Sequence, residues 1–403
     1  MTYFAAVTTL LAIIAVGASL YGNRGRYEAI DFRYFYGWWT EVSNGVDPYR
    51  PLAKALPAEV PPDKLLRFCN NTPVFVLLFS PLSSLPQSAA FWLWQIVQLS
   101  CLILAVVLLV RELEPPLSAP VAVSVVSLIL LFPPVHSGLH FARPTFMLVA
   151  LLCASWVFDR RSRPAAAGLM LAAAALLKLY PAAVGGYFLF RRRPNVVIWA
   201  ALFVLLGVIL TGVGRWRELF VYGIPFINNV VSDGRAVSLM LSFKHLLRQL
   251  SGGSDHQGWW ASAGALTAVV GVVLVARAGA VAARLPATTA VAGLYFGLWM
   301  LLALLLSPIS WNNDLIFLVP AYLFAAIGYT RGCLPRRLPI ALLALCALLQ
   351  MTDFFFSGLR PFYLFPISLL VGFAAACSAL SSAQVEADTA GEAVARSLEA
   401  SRF

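Results

Sequence analysis

Apolar runs separated by short polar or basic stretches dominate the chain. Runs approaching the roughly 20 residues that cross a bilayer as a helix recur at Thr2–Leu20, Ser88–Val110, Pro120–Val135, Ala142–Phe158, Asn195–Val213, Gly258–Ala280, Ala287–Leu306, Leu315–Tyr329, Leu338–Met351 and Pro361–Leu380. Two longer mixed segments, Tyr21–Gln87 and Gly214–Gln257, interrupt the series. Within the first, Val74–Pro86 is apolar but too short and too rich in proline to span, and it reads as a re-entrant or interfacial helix. The pattern predicts an all-α polytopic membrane protein of about 10–13 membrane helices, with amphipathic helices in its outer loops.

One stretch resists a simple crossing. Pro164–Phe190 is flanked by two basic clusters, Arg160–Arg163 and Arg191–Arg193. Basic short loops stay on the cytoplasmic side, yet a single crossing would put these two on opposite sides. Lys178-Leu179-Tyr180-Pro181 lies in the middle of the stretch. Proline removes a helix donor and disfavours helix in the residue before it. The conflict disappears if the stretch is a broken hairpin that enters from the cytoplasm, turns at Lys178–Pro181 and returns. Broken backbone at membrane depth must then be buried in protein or line a cavity. With this hairpin the N-terminus is inside. Outer loops fall at 21–87, 214–257 and 307–314, within one polytopic unit over residues 1–382. Residues 383–403 form a polar, cytoplasmic, disordered tail.

Composition agrees. Of 403 residues, 60% are hydrophobic and only 12% charged, about half the charge of a soluble domain. The formal net charge of +11 reads as a topology signal flanking the spans, not as nucleic-acid binding. The six cysteines show no metal-ligand or CxxC spacing and read as packing residues. Thr2–Leu20 lacks a basic leader and reads as a retained first helix rather than a signal peptide.

Candidate chemistry gathers in the outer segments. Asp31 follows the first span within Phe32-Arg33-Tyr34-Phe35-Tyr36-Gly37-Trp38-Trp39. The aromatics suit an interfacial belt, whereas a partly desolvated carboxylate is a competent general base. Arg143 opens a span on the outer side and either holds a phosphate or snorkels to the interface. Lys178 lies deep in an apolar stretch and demands an anionic ligand or a buried carboxylate. Trp311-Asn312-Asn313-Asp314 joins two spans with clustered hydrogen-bonding groups. Lys244 and His245 sit on an amphipathic outer stretch whose plain reading is an interfacial helix.

The order of several short pieces carries a resemblance. Asp31 with its aromatics is followed by Gly45-Val46-Asp47-Pro48-Tyr49, Thr72-Pro73, Ser80-Pro81-Leu82 with Leu85-Pro86, Lys178-Leu179-Tyr180-Pro181 and Ser307-Pro308-Ile309-Ser310-Trp311. The chain resembles the polyprenol-phosphate-mannose-dependent mannosyltransferases of glycosyltransferase family 87, in the GT-C superfamily, which includes mycobacterial phosphatidylinositol-mannoside mannosyltransferases. The resemblance implies a GT-C-type bundle with an extracytoplasmic active site in the bacterial plasma membrane. It implies transfer of a hexose, typically mannose, from a polyprenyl-phosphate donor to a lipid or glycolipid acceptor with inversion. It maps the family's catalytic aspartate onto Asp31. Two departures stand out. The family commonly has histidine shortly after the tryptophan where this chain has Asn312, Asn313 and Asp314, and many members carry Gly-Gln where this chain has Phe141-Ala142-Arg143. Arg33, Arg143, Lys178, Lys244, His245, Trp311, Asn312, Asn313 and Asp314 are the candidates for binding the donor phosphate or substrate. No DxD-type motif is present, so no metal or other cofactor is expected. A lipid flippase is the rival function: broken helices suit it, but similar halves are missing and the polar residues gather at one face.

Overall fold

A computed structural model of the chain describes residues 2–22, 30–49, 69, 71–223, 257–282, 288–307 and 312–331. Every regular element among them is helical: α1 Thr2–Gly22, α2 Ile30–Ser43, α3 Pro73–Phe79, α4 Gln87–Arg111, α5 Ala119–Leu130, α6 Pro133–Phe141, α7 Thr145–Arg160, α8 Pro164–Leu177, α9 Gly185–Phe190, α10 Pro194–Thr211, α11 Val213–Glu218, α12 Gln257–Ala282, α13 Thr289–Leu306 and α14 Val319–Thr330. The expected spans Leu338–Met351 and Pro361–Leu380, the tail, and Lys244, His245 and Trp311 lie outside the described residues.

Among the described residues, four helices are long and apolar enough to cross a membrane: α1, α4, α10 and α13, with a fifth if α5 and α6 count as one broken span. Their environments differ. Only 22% of the α1 window and 11% of the α10 window are buried, against 89% of α13. The first two therefore present apolar side chains outward, and α13 is the centre of the bundle. It packs there through Gly293 and Gly297, a small-xxx-small pair that lets backbones approach. A Cβ on Gly297 would meet Ala321 Cα of α14 at 2.8 Å.

The expected span Pro120–Val135 is not straight. α5 and α6 meet at 55°, because Pro133 and Pro134 withhold two helix donors and force Phe132 to an extended backbone. Leu315–Tyr329 is likewise divided, with a 3-10 turn over Asn312–Leu318 leading into α14.

The stretch Pro164–Phe190 folds as a hairpin. α8 has 14 residues, about 21 Å of helix at 1.5 Å per residue. It stops at Lys178, whose backbone is extended. A 3-10 turn, Tyr180–Val184, and α9 form the second arm, which at about 2.0 and 1.5 Å per residue is nearly as long. A Cβ on Gly185 of this arm would lie 3.8 Å from the Leu171 side chain of α8, so positions equidistant from the break face each other. α10 then runs alongside α8 in the same direction: Gly168 abuts Val196 and Ala200, and Gly207 abuts Leu176.

Both basic clusters consequently sit at one end. Arg193 lies 4.0 Å from Asp159 at the end of α7. Glu112, just after α4, pairs with Arg160 at 3.4 Å and Arg161 at 2.7 Å, and Arg160 also donates to Thr289 at the start of α13. Single cysteines at the exposed positions Arg161 and Arg192 should therefore react with an impermeant maleimide from the same side of sealed vesicles. Labelling from opposite sides would mean that the stretch crosses once.

Candidate functional site

The hairpin break has to dispose of freed carbonyls. Pro181 has no N–H to give Leu177, four residues back. Thr72 supplies the substitute: its hydroxyl donates to the carbonyl of Leu176 and lies 3.3 Å from that of Leu177. The same oxygen accepts from Phe75 N at 3.3 Å and so caps α3. Thr72-Pro73 is thus the joint that fixes the hairpin tip to the start of α3.

Lys178, at that tip, meets a carboxylate. Its Nζ lies 3.8 Å from Asp314 Oδ1 and 5.2 Å from the centre of the Tyr180 ring. Asp314 is fully buried. Its Oδ1 also accepts from Thr145 Oγ1 at 3.0 Å and from Tyr180 Oη at 3.5 Å. Of the two partners expected for Lys178, the structure supplies the buried carboxylate. Asp314 is thereby enclosed among Lys178, Thr145 and Tyr180. Asn312 and Asn313 lie on the same 3-10 turn.

A second ion pair stands beside the first. Asp31, in the first turn of α2, pairs with Arg143. A carboxylate at a helix N-terminus also complements the helix dipole. Asp31 retains 21% side-chain exposure and Arg143 10%. The charges of both act on Lys178, so four ionisable groups from four separate segments share one region. Arg33 does not join them. Two residues turn a helix by about 200°, and Arg33 is exposed while Asp31 faces Arg143.

What holds Arg143 is the junction between α6 and α7. Ala142 adopts the left-handed conformation, φ 54° and ψ 37°, which costs a non-glycine residue about 1–2 kcal/mol. α4 clamps this turn from below. Trp94 Nε1 donates to Ala142 O at 2.6 Å, Gln95 Nε2 to Leu139 O at 2.6 Å, and Gln98 Oε1 accepts from Met147 N at 3.3 Å. Arg143 also lies over the Phe141 ring at 5.5 Å. None of these α4 residues is among the sequence candidates. Their signal is the presence of Gln95 and Gln98 inside an apolar span, where polar side chains are expensive.

The α2 aromatics position Asp31. Phe32, Phe35, Trp38 and Trp39 are all buried, so they form a protein core and not a lipid-facing belt. Their rings meet Phe75 and Phe79 of α3 and Phe91 and Trp94 of α4, with Phe35–Phe75 centroids 5.0 Å apart and Phe79–Trp94 4.9 Å apart. Tyr36 Oη donates to Leu85 O at 2.8 Å. Trp94 therefore touches both sides of the ion pair: its ring packs on the Asp31 helix, and its N–H holds the Arg143 turn.

The Gly45–Tyr49 piece is structural. Gly45 takes a left-handed φ of 76°, and Asp47 accepts from Tyr49 N at 3.1 Å and pairs with Arg215 at 3.4 Å. Tyr49 Oη donates to Asn71 O at 2.7 Å. Burial raises the Tyr49 phenol and pushes the adjacent Cys69 thiol up to about 12. The thiolate is the reactive form, so at pH 8 only about one Cys69 in 10⁴ is reactive. Maleimide should leave Cys69 unmodified in folded protein and modify it after denaturation, as peptide mass spectrometry will show. Rapid labelling of the native protein would contradict this packing.

Among the described residues, no group of three or more His, Cys, Asp or Glu side chains converges as a metal site would require. The family model for glycosyltransferase family 87 matches residues 68–308. A polyprenol-phosphate-mannose-dependent alpha-(1-2)-phosphatidylinositol mannoside mannosyltransferase of Mycobacterium tuberculosis is 26% identical over 220 residues, covering 54% of this chain and 48% of the relative. A polyprenol-phosphate-mannose-dependent alpha-(1-2)-phosphatidylinositol pentamannoside mannosyltransferase of Mycolicibacterium smegmatis is 26% identical over 279 residues, covering 67% of this chain and 64% of the relative. The matches thus span about half to just under two thirds of these relatives.

Proposed function

From its membership of glycosyltransferase family 87, we propose that this chain transfers a hexose, mannose by analogy with its relatives, from a polyprenyl-phosphate carrier to a lipid or glycolipid acceptor. The observation that carries the proposal is the pairing of a partly open carboxylate, Asp31, with a cation, Arg143, at the tip of a hairpin that carries a second cation, Lys178. Sugar transfer needs both kinds of group. A base takes the acceptor's hydroxyl proton, and cations stabilise the charge that grows on the departing phosphate.

Asp31 is the proposed base. The acceptor oxygen bonds to the anomeric carbon as the bond from that carbon to the phosphate oxygen breaks. The bonding pair leaves on the phosphate, the hydroxyl proton goes to Asp31, and a single displacement inverts the centre. Arg143 receives the phosphate, with Lys178 adding its positive charge from the hairpin tip. The basic clusters Arg160–Arg163 and Arg191–Arg193 lie at the other ends of the helices that reach this site, which favours an extracytoplasmic location.

The test is transfer by purified full-length protein in liposomes. Radiolabelled polyprenyl-phosphate-mannose is supplied with a lipid extract, and the expected product is a labelled glycolipid distinct from the donor. Movement of donor across the bilayer with no labelled product would instead establish a flippase.

A further inference from the structure

The Arg143 guanidinium faces two claims. In the structure it is paired with Asp31. In the reaction proposed above, on which this inference rests, the donor phosphate needs the same cation and the acceptor hydroxyl needs the same carboxylate. Arg143 Nε donates to one Asp31 oxygen, Oδ2, so the carboxylate is held toward the guanidinium and each group competes with the other's ligand. As it stands, the pair draws on the base and the phosphate site together.

The two ion pairs differ in a way that decides which one opens. Asp314 is fully buried and is held by Thr145 and Tyr180 besides Lys178. Separating Lys178 from it would strand a buried charge, which is strongly unfavourable. Asp31 is 21% exposed, so water or an acceptor hydroxyl can replace the guanidinium as its partner. Arg143 is less free to move. Its backbone is clamped through Ala142 to Trp94, and its side chain lies against Phe141. A ligand must come to Arg143.

We propose that the Asp31–Arg143 ion pair is the closed state of the site, opened when the phosphate of the lipid-linked sugar takes Arg143 from Asp31. The phosphate then occupies the guanidinium donors, and the Asp31 oxygen turns to the acceptor hydroxyl. As transfer proceeds, the proton passes to Asp31. The phosphate gains the electron pair of the broken bond, and its charge goes from about −1 toward −2. The growing charge tightens its hold on Arg143 when the carboxylate has just been neutralised, so the pair does not re-form until the proton and the lipid phosphate have left. Base and donor site become available together, and donor binding precedes productive acceptor binding.

The test uses polyprenyl phosphate without sugar, so that binding is measured without turnover. Its affinity for the full-length protein in detergent is compared across wild type, Asp31→Asn, Arg143→Gln and the double variant. Competition predicts that Asp31→Asn binds about 10-fold tighter, equivalent to about 1.4 kcal/mol, because Arg143 has lost its internal partner. Arg143→Gln binds at least about 10-fold more weakly. The decisive term is the coupling between the two sites: the gain from Asp31→Asn vanishes in the Arg143→Gln background. If Asp31→Asn binds no tighter, the switch is overturned. It is overturned equally if the gain persists without Arg143, since the effect is then only removal of a like charge. Asp31→Ala or Arg143→Ala takes the place of any variant that does not fold. The broader reading fails differently. Wild-type protein that does not bind polyprenyl phosphate rejects the donor assignment and the switch with it. Binding with the expected coupling but no sugar transfer rejects the transferase and leaves the switch standing.

Discussion

Replacing Asp31 by asparagine is expected to lower the rate of sugar transfer by about 10²–10⁴-fold, the range for removing a general base, while the protein remains folded. Three orders of magnitude correspond to about 4 kcal/mol of barrier. The fold should tolerate the change because Asp31 is partly exposed and its helix is held by other means. Phe32, Phe35 and Trp39 are buried against α3 and α4, and asparagine keeps an oxygen that can still accept from Arg143. Initial rates with saturating donor, alongside size-exclusion profiles, separate the two effects. Asn keeps the size and a hydrogen-bonding oxygen but cannot hold the proton, so activity near that of wild type would remove Asp31 from the role of base.

Much of the scaffold was legible because membrane chains obey a few strong rules. The charge conflict between Arg160–Arg163 and Arg191–Arg193 and the proline at position 181 sufficed to locate the hairpin. Asp31 stood out as an acid beside a span. The pairing of Asp31 with Arg143 was not legible from local pattern, since the two are 112 residues apart and nothing near either one specifies the other. Arg33 was a reasonable candidate by proximity in sequence, yet helix geometry turns it to the opposite side. The bend at Pro133-Pro134 was legible, but the expected span ran through it because the surrounding residues are uniformly apolar. The aromatics of α2 looked like a belt in a one-dimensional reading. They are core because α3, a helix too short to span, gives them a protein surface to bury against.

The two carboxylates of the site also show how burial divides labour among like residues. Asp31 and Asp314 each pair with a cation. The first stays partly exposed, as the proposed base must. The second is fully buried and holds the tip of a broken helix through Lys178 and Tyr180.

The largest stability effect is accordingly expected at Asp314. Changing it to alanine leaves Lys178 at the hairpin tip without its carboxylate and removes an acceptor from Thr145 and Tyr180. Breaking a buried ion pair from one side costs about 3–5 kcal/mol, a large fraction of a typical folding free energy. Thr145→Val leaves the ion pair intact and should cost only about 1 kcal/mol, the worth of one hydrogen bond. The double variant Asp314→Leu with Lys178→Met separates the charge term from packing. Replacing both partners by apolar groups of similar size is often neutral, so the double variant should melt closer to wild type than Asp314→Ala does. It should still transfer sugar poorly, because the Lys178 charge is gone. Thermal unfolding in detergent, followed by tryptophan fluorescence, measures the first expectation, and the transfer assay measures the second. Equal melting of wild type and Asp314→Ala would show that Lys178 finds water or another anion at no cost, and that the hairpin tip does not depend on this carboxylate.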